Sequence, residues 1–169
     1  MRQVTLRPLV AADVGPAAAL NDSEVPRVSP LGPEGLTDHL PRCDLALVAE
    51  DEDGFAGFVL AIAPGADYAS PNYRFFEERG SDHLYVDRVV VAPTHRRRGI
   101  AGRLYDAVEG RARRAGHQEV TCEVNVRPPN PASLAFHEAR GFVEVGRHDT
   151  TAGTVTVVAL LAKRTATSA

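Results

Sequence analysis

The chain has 169 residues, 44% hydrophobic and 24% charged, with a formal net charge of −3. That length suits a single domain over residues 1–169 whose core needs no disulfide or metal staple, and the mild acidity excludes a general nucleic-acid or membrane-surface binder. Two cysteines, Cys43 and Cys122, stand far apart with no CxxC pair and no histidine at ligand spacing, so they read as reduced thiols. No apolar run approaches the roughly 20 residues of a membrane span, and the first residues lack a signal-peptide core, which points to the cytoplasm.

Residues 2–7 alternate, with Val4 and Leu6 on one side and Gln3, Thr5 and Arg7 on the other, as in a half-buried strand closed by Pro8. The Ala-rich stretch 13–21 predicts a helix despite Gly15 and Pro16. Pro26, Pro30, Pro33 and Pro41 break the stretch 22–42, leaving room for a short helix over 34–40. Apolar runs 45–50 and 55–63, joined by Asp51-Glu52-Asp53-Gly54, predict a hairpin. Residues 64–83 then form a connection longer than a hairpin needs, and loops of that length either work or are disordered. Tyr68, Tyr73, Phe75 and Phe76 speak against disorder. The stretch is read as a lid or substrate wall, with rings that only pack the loop down as the alternative.

The chain is organised around residues 84–103. A β-branched run (Val86, Val89, Val90, Val91) stops at Pro93, three arginines follow, and Gly99 and Gly102 lie at the mouth of a helix-forming segment. Unpaired N–H groups at a helix start, beside Arg96, Arg97 and Arg98, make a seat for an anion, and Gly99 lets it approach the backbone. The expected ligand carries phosphates. Neither GxxxxGK[ST] nor GxGxxG is present, which disfavours a nucleotide P-loop and a dinucleotide fold. Helix 100–115 follows, with Leu104, Ala107/Val108, Arg111/Ala112 and Ala115 on one stripe and Gly116 at its end. With strand 119–126 it makes a βαβ unit of parallel strands.

Arg96-x-x-Gly99-x-Ala101 resembles the [QR]-x-x-G-x-[GA] signature of the GNAT superfamily of acyl-CoA-dependent N-acyltransferases. A second match follows: Asn130-x-x-Ser133-x-x-Phe136-His137-x-x-x-Gly141-Phe142 resembles that superfamily's N-x-x-[AS]-x-x-[LF]-Y-x-x-x-G-F helix, with Gly141 as its cap. Strands 142–148 and 154–162 close the chain. Specific motifs cover about residues 84–142, and with EVN, NPASLAFH and SPNYRFF the chain looks like a bacterial branch of small acetyltransferases, a likeness that brings no substrate with it.

The resemblance implies an α/β (α+β) fold, with a mixed, mostly antiparallel sheet of about six to seven strands, a central βαβ unit and helices on both faces. It implies acetyl-CoA as co-substrate, an amine acceptor, no metal, no nucleic acid and no membrane, with a homodimer allowed. A bulge in the fourth strand would splay it from the fifth. The pantetheine would lie in that gap against the backbone of Val89 and Val91, and Arg96, Arg97, Arg98, Gly99, Ile100, Ala101 and Gly102 would hold the pyrophosphate. Asn130, Ser133 and Phe136 would meet the cofactor from the next helix, where Asn130 also reads as an N-cap. Asn21, Tyr73, Tyr85 and Asn125 are candidates for the acceptor.

The departure is His137, where most relatives carry a tyrosine that acts as general acid near the thiol. A histidine, with an ordinary pKa of about 6.5, can also give a proton, or it merely fills space. For the base, strand 119–126 sets Thr121, Glu123 and Asn125 on one face, and strict alternation sets Tyr85 and Asp87 on the face of Val89 and Val91. Glu123 and Asp87 are the two candidates, against buried hydrogen bonding or a pair with Arg88. The leading reading is an N-acetyltransferase acting on a small-molecule amine or an exposed amino group. The alternative is a catalytically weakened member that binds CoA or another ligand as a sensor, motivated by the missing tyrosine.

Overall fold

The computed structural model describes residues 3–150 and 157–166. The first residue of the strand expected over 2–7, and residues 154–156 of the last expected strand, lie outside them. The expected hairpin is Leu45–Asp51 (β2) and Gly54–Ile62 (β3). Successive residues of β3 face opposite sides, and both sides are covered. Phe58 and Leu60 pack with Ala17, Ala18 and Leu36 of helices Val14–Ser23 (α1) and Gly32–His39 (α2). Val59 and Ala61 pack with Leu104 and Val108 of helix Ile100–Ala115 (α4), joined by Leu134 and Phe136 of helix Pro131–Ala139 (α5).

With Thr5–Pro8 (β1), His83–Val91 (β4), Glu119–Arg127 (β5), Val143–Asp149 (β6) and Val157–Arg164 (β7), the strands form one seven-stranded sheet in the order β1-β2-β3-β4-β5-β7-β6. Every neighbouring pair is antiparallel except β4 and β5. This is the mixed, mostly antiparallel sheet with a central βαβ unit expected from the sequence. Among the described residues no helix is long and apolar enough to cross a membrane.

Residues 64–83 are not one irregular connection, because they contain helix Pro71–Arg79 (α3). Its start is marked by Ser70, whose Oγ accepts from the Tyr73 N–H, and by Pro71 at the first helical position. Gly80 ends it at φ 81°, a left-handed conformation that suits glycine. Tyr73 and Phe76, one turn apart, bury themselves with Ile62, Tyr85 and Leu160 on the α1 and α2 side of the sheet. Those rings pack the segment down.

The second correction concerns β4. Leu60 pairs with Arg88 but Ala61 pairs with Val86, so Asp87 is an extra residue, a β-bulge. Alternation breaks there. Tyr85 packs beneath α3, whereas Val86, Val89 and Val91 contact the core under α4. Tyr85 and Asp87 therefore do not share a face with Val89 and Val91. The bulge has a larger consequence: β4 pairs with β5 only at His83–Tyr85 against Glu119–Thr121, and beyond that point the two strands separate.

Candidate active site

The separation of β4 and β5 opens a cavity of about 1130 Å³, walled by both strands, by the α1–α2 connection at 24–30, by the start of α3 and by α5. Among the described residues the facing edges of the two strands have no sheet partner in the gap, which leaves their backbone groups available to a ligand. Arg96 lines one side of the cavity, and four residues further along the chain α4 begins at Ile100. Among the described residues no side chain caps α4, whose N-cap Gly99 stands at φ 74°, so its first N–H groups lack an intrahelical partner. Nothing lies within 4 Å of where a Gly99 side chain would project. A helix start of this kind suits an anion through its N–H groups and the helix dipole.

The three arginines are not equivalent. Arg96 lines the cavity and pairs with Glu24 across its mouth at 2.7 Å, while Arg98 turns to Asp51 at 3.5 Å. Arg97 stands at φ 61° and has no ion-pair partner among the described residues. Asp51, Asp53 and His95 also gather at the foot of this loop with ligand-type atoms within 4.8 Å of one another, but the Arg98 cation shares Asp51.

At the opposite end the site is acidic and aromatic. Asp87 is almost fully enclosed: Tyr68 donates to Oδ1 at 2.7 Å, and His39 Nε2 and Arg88 Nε lie 2.8 and 3.2 Å from Oδ2. Burial by itself would raise its pKa, but the bond from His39 and the Arg88 charge outweigh burial and hold it below the usual carboxylate value. Arg88 in turn is spent on Asn21 Oδ1, the Ser29 carbonyl and Ser29 Oγ at 2.7 to 3.0 Å. The cluster fastens the 22–32 connection to the bulge and leaves Asp87 an anion with its oxygens occupied.

Glu123 is different. It projects from β5 into the cavity, accepts from Tyr85 Oη at 2.6 Å, and has no cation bonded to it among the described residues. Burial, reinforced by the neighbouring Asp87 charge, pushes its pKa up to about 7, against the Tyr85 bond that lowers it. A carboxylate of that pKa both takes and returns a proton near neutral pH.

His137 lies on α5 beside the cavity, with both ring nitrogens engaged. Nδ1 is 2.7 Å from the Ser133 carbonyl oxygen, and Nε2 is 2.7 Å from Tyr105 Oη of α4. Burial lowers its pKa from the ordinary histidine value. A tyrosine hydroxyl stands 2.7 Å from the imidazole that holds position 137.

Of the residues singled out in the sequence, Asp87, Glu123, His137, Val89, Val91, Arg96, Asn125, Asn130 and Ser133 line the one cavity. Tyr85 reaches it through Glu123. Asn130 Oδ1 accepts from the Ser133 N–H, so it does cap α5. Ile100 is core, Ala101 and Gly102 form the first turn of α4, and Phe136 packs edge-on against Tyr105. Two acceptor candidates are corrected. Tyr73 is buried and donates to the Ala63 carbonyl, and Asn21 is buried holding Asp22, Ser29 and Arg88. Each is polar because it satisfies the frame. Sequence reasoning missed His39 and Tyr105, and it placed Tyr68 in the expected lid or wall without giving it a partner; Tyr68 does line the cavity.

The sequence profile of the acetyltransferase (GNAT) family matches residues 18–142, and the chain belongs to that family. Solved structures agree on the fold. The Ard1 protein of Thermoplasma volcanium superposes with a TM-score of 0.78 at 14% identity, covering 96% of this chain and 98% of that one. Arabidopsis thaliana NAA60, solved with a bisubstrate analogue, gives 0.77 at 18% identity over 96% and 98%. The phosphinothricin acetyltransferase (Pat) of Sinorhizobium meliloti, solved with AcCoA, gives 0.74 at 22% identity over 96% and 88%. A comparison of the sequence with curated proteins finds no match.

Proposed function

We propose that the protein is an N-acetyltransferase that moves an acetyl group from acetyl-CoA to a primary amine of a small molecule or an exposed amino group. The observation that supports this reading is one cavity that runs from Arg96, four residues before the start of α4, along two separated strands to a carboxylate with a pKa of about 7. The residues fit the co-substrate: the α4 N-terminus with Gly99, Ile100, Ala101 and Gly102 takes the pyrophosphate, Arg96 and Arg97 supply positive charge, and open backbone groups of β4 near Val89 and Val91 pair with the pantetheine. Glu123 attracts the ammonium form of the acceptor and removes its proton. The freed amine attacks the thioester carbonyl, and the thiolate that leaves requires a proton. Asp87 holds the bulge and adds negative charge, which favours a cationic acceptor.

Acetyl-CoA titrated into the protein in a calorimeter should bind, and thiol release should follow on adding an amine from a panel of a polyamine, a free amino acid and a tetrapeptide with a free N-terminus. No binding would overturn the reading. Binding with no thiol release for any amine would favour a CoA-binding sensor on the same fold.

A further inference from the structure

We infer that Tyr105 is the residue that hands the proton to the departing thiolate, with His137 behind it as the proton store; this rests on the acyl-transfer reading above. The geometry starts from the Ser133 carbonyl, 2.7 Å from His137 Nδ1. A carbonyl oxygen can only accept, so Nδ1 carries the hydrogen. In the neutral ring the lone pair is then on Nε2, and Tyr105 Oη, 2.7 Å away, donates to it. No N–H of His137 remains to point into the cavity. Tyr105 and His137 both line that cavity, with Cys122 and Ser133 beside them, and because both ring nitrogens are engaged, the hydrogen-bonded route from the imidazole to the cleft runs through the Tyr105 oxygen. Burial raises the Tyr105 pKa well above the ordinary value, so a lasting tyrosinate is unfavourable and the hydroxyl must be refilled as it donates.

The exchange balances. Burial and the nearby Arg140 charge lower the His137 pKa, so imidazolium is the minor form near neutral pH; that form gains its proton from hydronium, donates Nδ1–H to the Ser133 carbonyl and Nε2–H to the Tyr105 oxygen, and so frees the Tyr105 O–H to turn into the cleft. When the C–S bond breaks, its electron pair stays on sulfur. Sulfur takes the Tyr105 hydrogen, so S–H forms as O–H breaks, and the oxygen takes the Nε2 hydrogen, so O–H forms as N–H breaks. The pair ends with a neutral His137 accepting from Tyr105, the arrangement observed. Of the two protons the ammonium nitrogen sheds, the equivalent of one reaches sulfur by way of solvent, His137 and Tyr105, and the other passes through Glu123 to bulk water as the net proton released.

Several charged or titratable groups face this pair. Arg140 lies 5.6 Å over the Tyr105 ring and is itself paired with Asp106 and Glu109 of α4. Glu109 also takes Lys163 from β7, and from β5 Cys122 and Glu123 act on Tyr105.

Tyr105→Phe keeps the ring and removes the hydroxyl. Turnover should fall by about 10²-fold or more, the usual range for a lost general acid being roughly 10² to 10⁴, while calorimetric acetyl-CoA affinity stays unchanged. The ratio of wild-type to Tyr105→Phe turnover should shrink as pH rises, because the His137 store empties. A double variant with His137→Gln should be no slower than the slower single variant. Incorporating 3-fluorotyrosine at 105, which keeps the hydroxyl and the fold, should retain most of the turnover. Nitrogen NMR of the free protein should show His137 as the Nδ1–H tautomer. Full turnover in Tyr105→Phe, a pH-independent ratio, or the Nε2–H tautomer would each overturn the inference. A wild type that binds acetyl-CoA but releases no thiol with any amine of the panel would overturn the acyl-transfer reading instead, and this inference with it.

Discussion

The two ends of the cavity are built from different materials. At the α4 end the working parts are backbone: a left-handed glycine, uncapped N–H groups and two strand edges that stop pairing. At the acceptor end they are side chains brought together from afar. Asp87 is held by His39, 48 positions away, and by Tyr68, 19 positions away, and Glu123 by Tyr85, 38 positions away. A backbone seat takes any pyrophosphate-bearing ligand and tolerates substitution nearby, whereas a side-chain seat can be retuned one residue at a time. The fixed half of the chemistry belongs on the first and the variable half on the second.

The sharpest way to break this contrast is at Gly99. Gly99→Glu sets a carboxylate in the phosphate seat and asks an L-residue to hold φ 74°. Acetyl-CoA binding should vanish from calorimetry, while unfolding stability falls only by the roughly 1–2 kcal/mol of left-handed strain. Retained binding would move the phosphate site elsewhere. Asp87→Ala tests the other end. It leaves buried Arg88 and His39 without their anion, and breaking such a pair typically costs about 3–5 kcal/mol, measurable by urea unfolding. The sign follows from the lowered pKa of Asp87: its stabilising contribution is present above the ordinary carboxylate value and is lost as pH falls through the folded value. Wild type should therefore lose this stability in acid and Asp87→Ala should not.

Glu123→Gln comes next in size. It keeps shape and removes basicity, so turnover should fall by about 10²-fold with acetyl-CoA affinity intact. Wild-type turnover should rise with pH through about 7 as Glu123 ionises, and the variant should lack that rise. Stability runs the opposite way. The folded pKa is raised, so between the ordinary carboxylate value and about 7 the unfolded chain has already lost a proton that the folded one keeps, and wild type weakens as pH rises through that window. The Gln variant should melt higher than wild type at pH 8 and equally at pH 4. Equal melting at both would mean that Glu123 is not held away from water.

What could be read from the sequence follows the same division. The strand, turn and helix at 84–103 were legible because β-branched residues, Pro93 and Gly99 each have a backbone meaning that no distant contact overrides. The polar stripe Thr121, Glu123 and Asn125 was legible through period two alone. The faces of β4 were not, because one extra residue at Asp87 reverses alternation and nothing in LYVDRVVV marks where a bulge falls. Helix α3 carried its signals in Ser70, Pro71 and Gly80, but its dense aromatic residues and the expected length of the connection pulled the reading toward a loop. His39, Tyr68 and Tyr105 depend on tertiary closure, and each looks locally like an ordinary residue of its element.

The smallest effect concerns Arg96, which a carboxylate of the cavity wall already holds. Glu24, at the end of α1, pairs with Arg96 at 2.7 Å and with Arg27 at 3.2 Å, so in the free protein one anion-loop cation is already satisfied by a carboxylate. A pyrophosphate arriving at the α4 N-terminus competes with Glu24 for it. Arg96 is 43% exposed along its side chain, and ion pairs of that kind are worth roughly 0.2–1 kcal/mol, so the competition is mild. Glu24→Gln should tighten acetyl-CoA binding by about two- to fivefold, and the gain should shrink as salt rises from low ionic strength toward 0.5 M, where the pair is screened in wild type as well. Arg96→Gln should weaken binding by a similar factor and abolish the response to Glu24→Gln. Additive effects of the two substitutions would mean that Glu24 acts on the cofactor phosphates directly and that Arg96 belongs to the acceptor side alone.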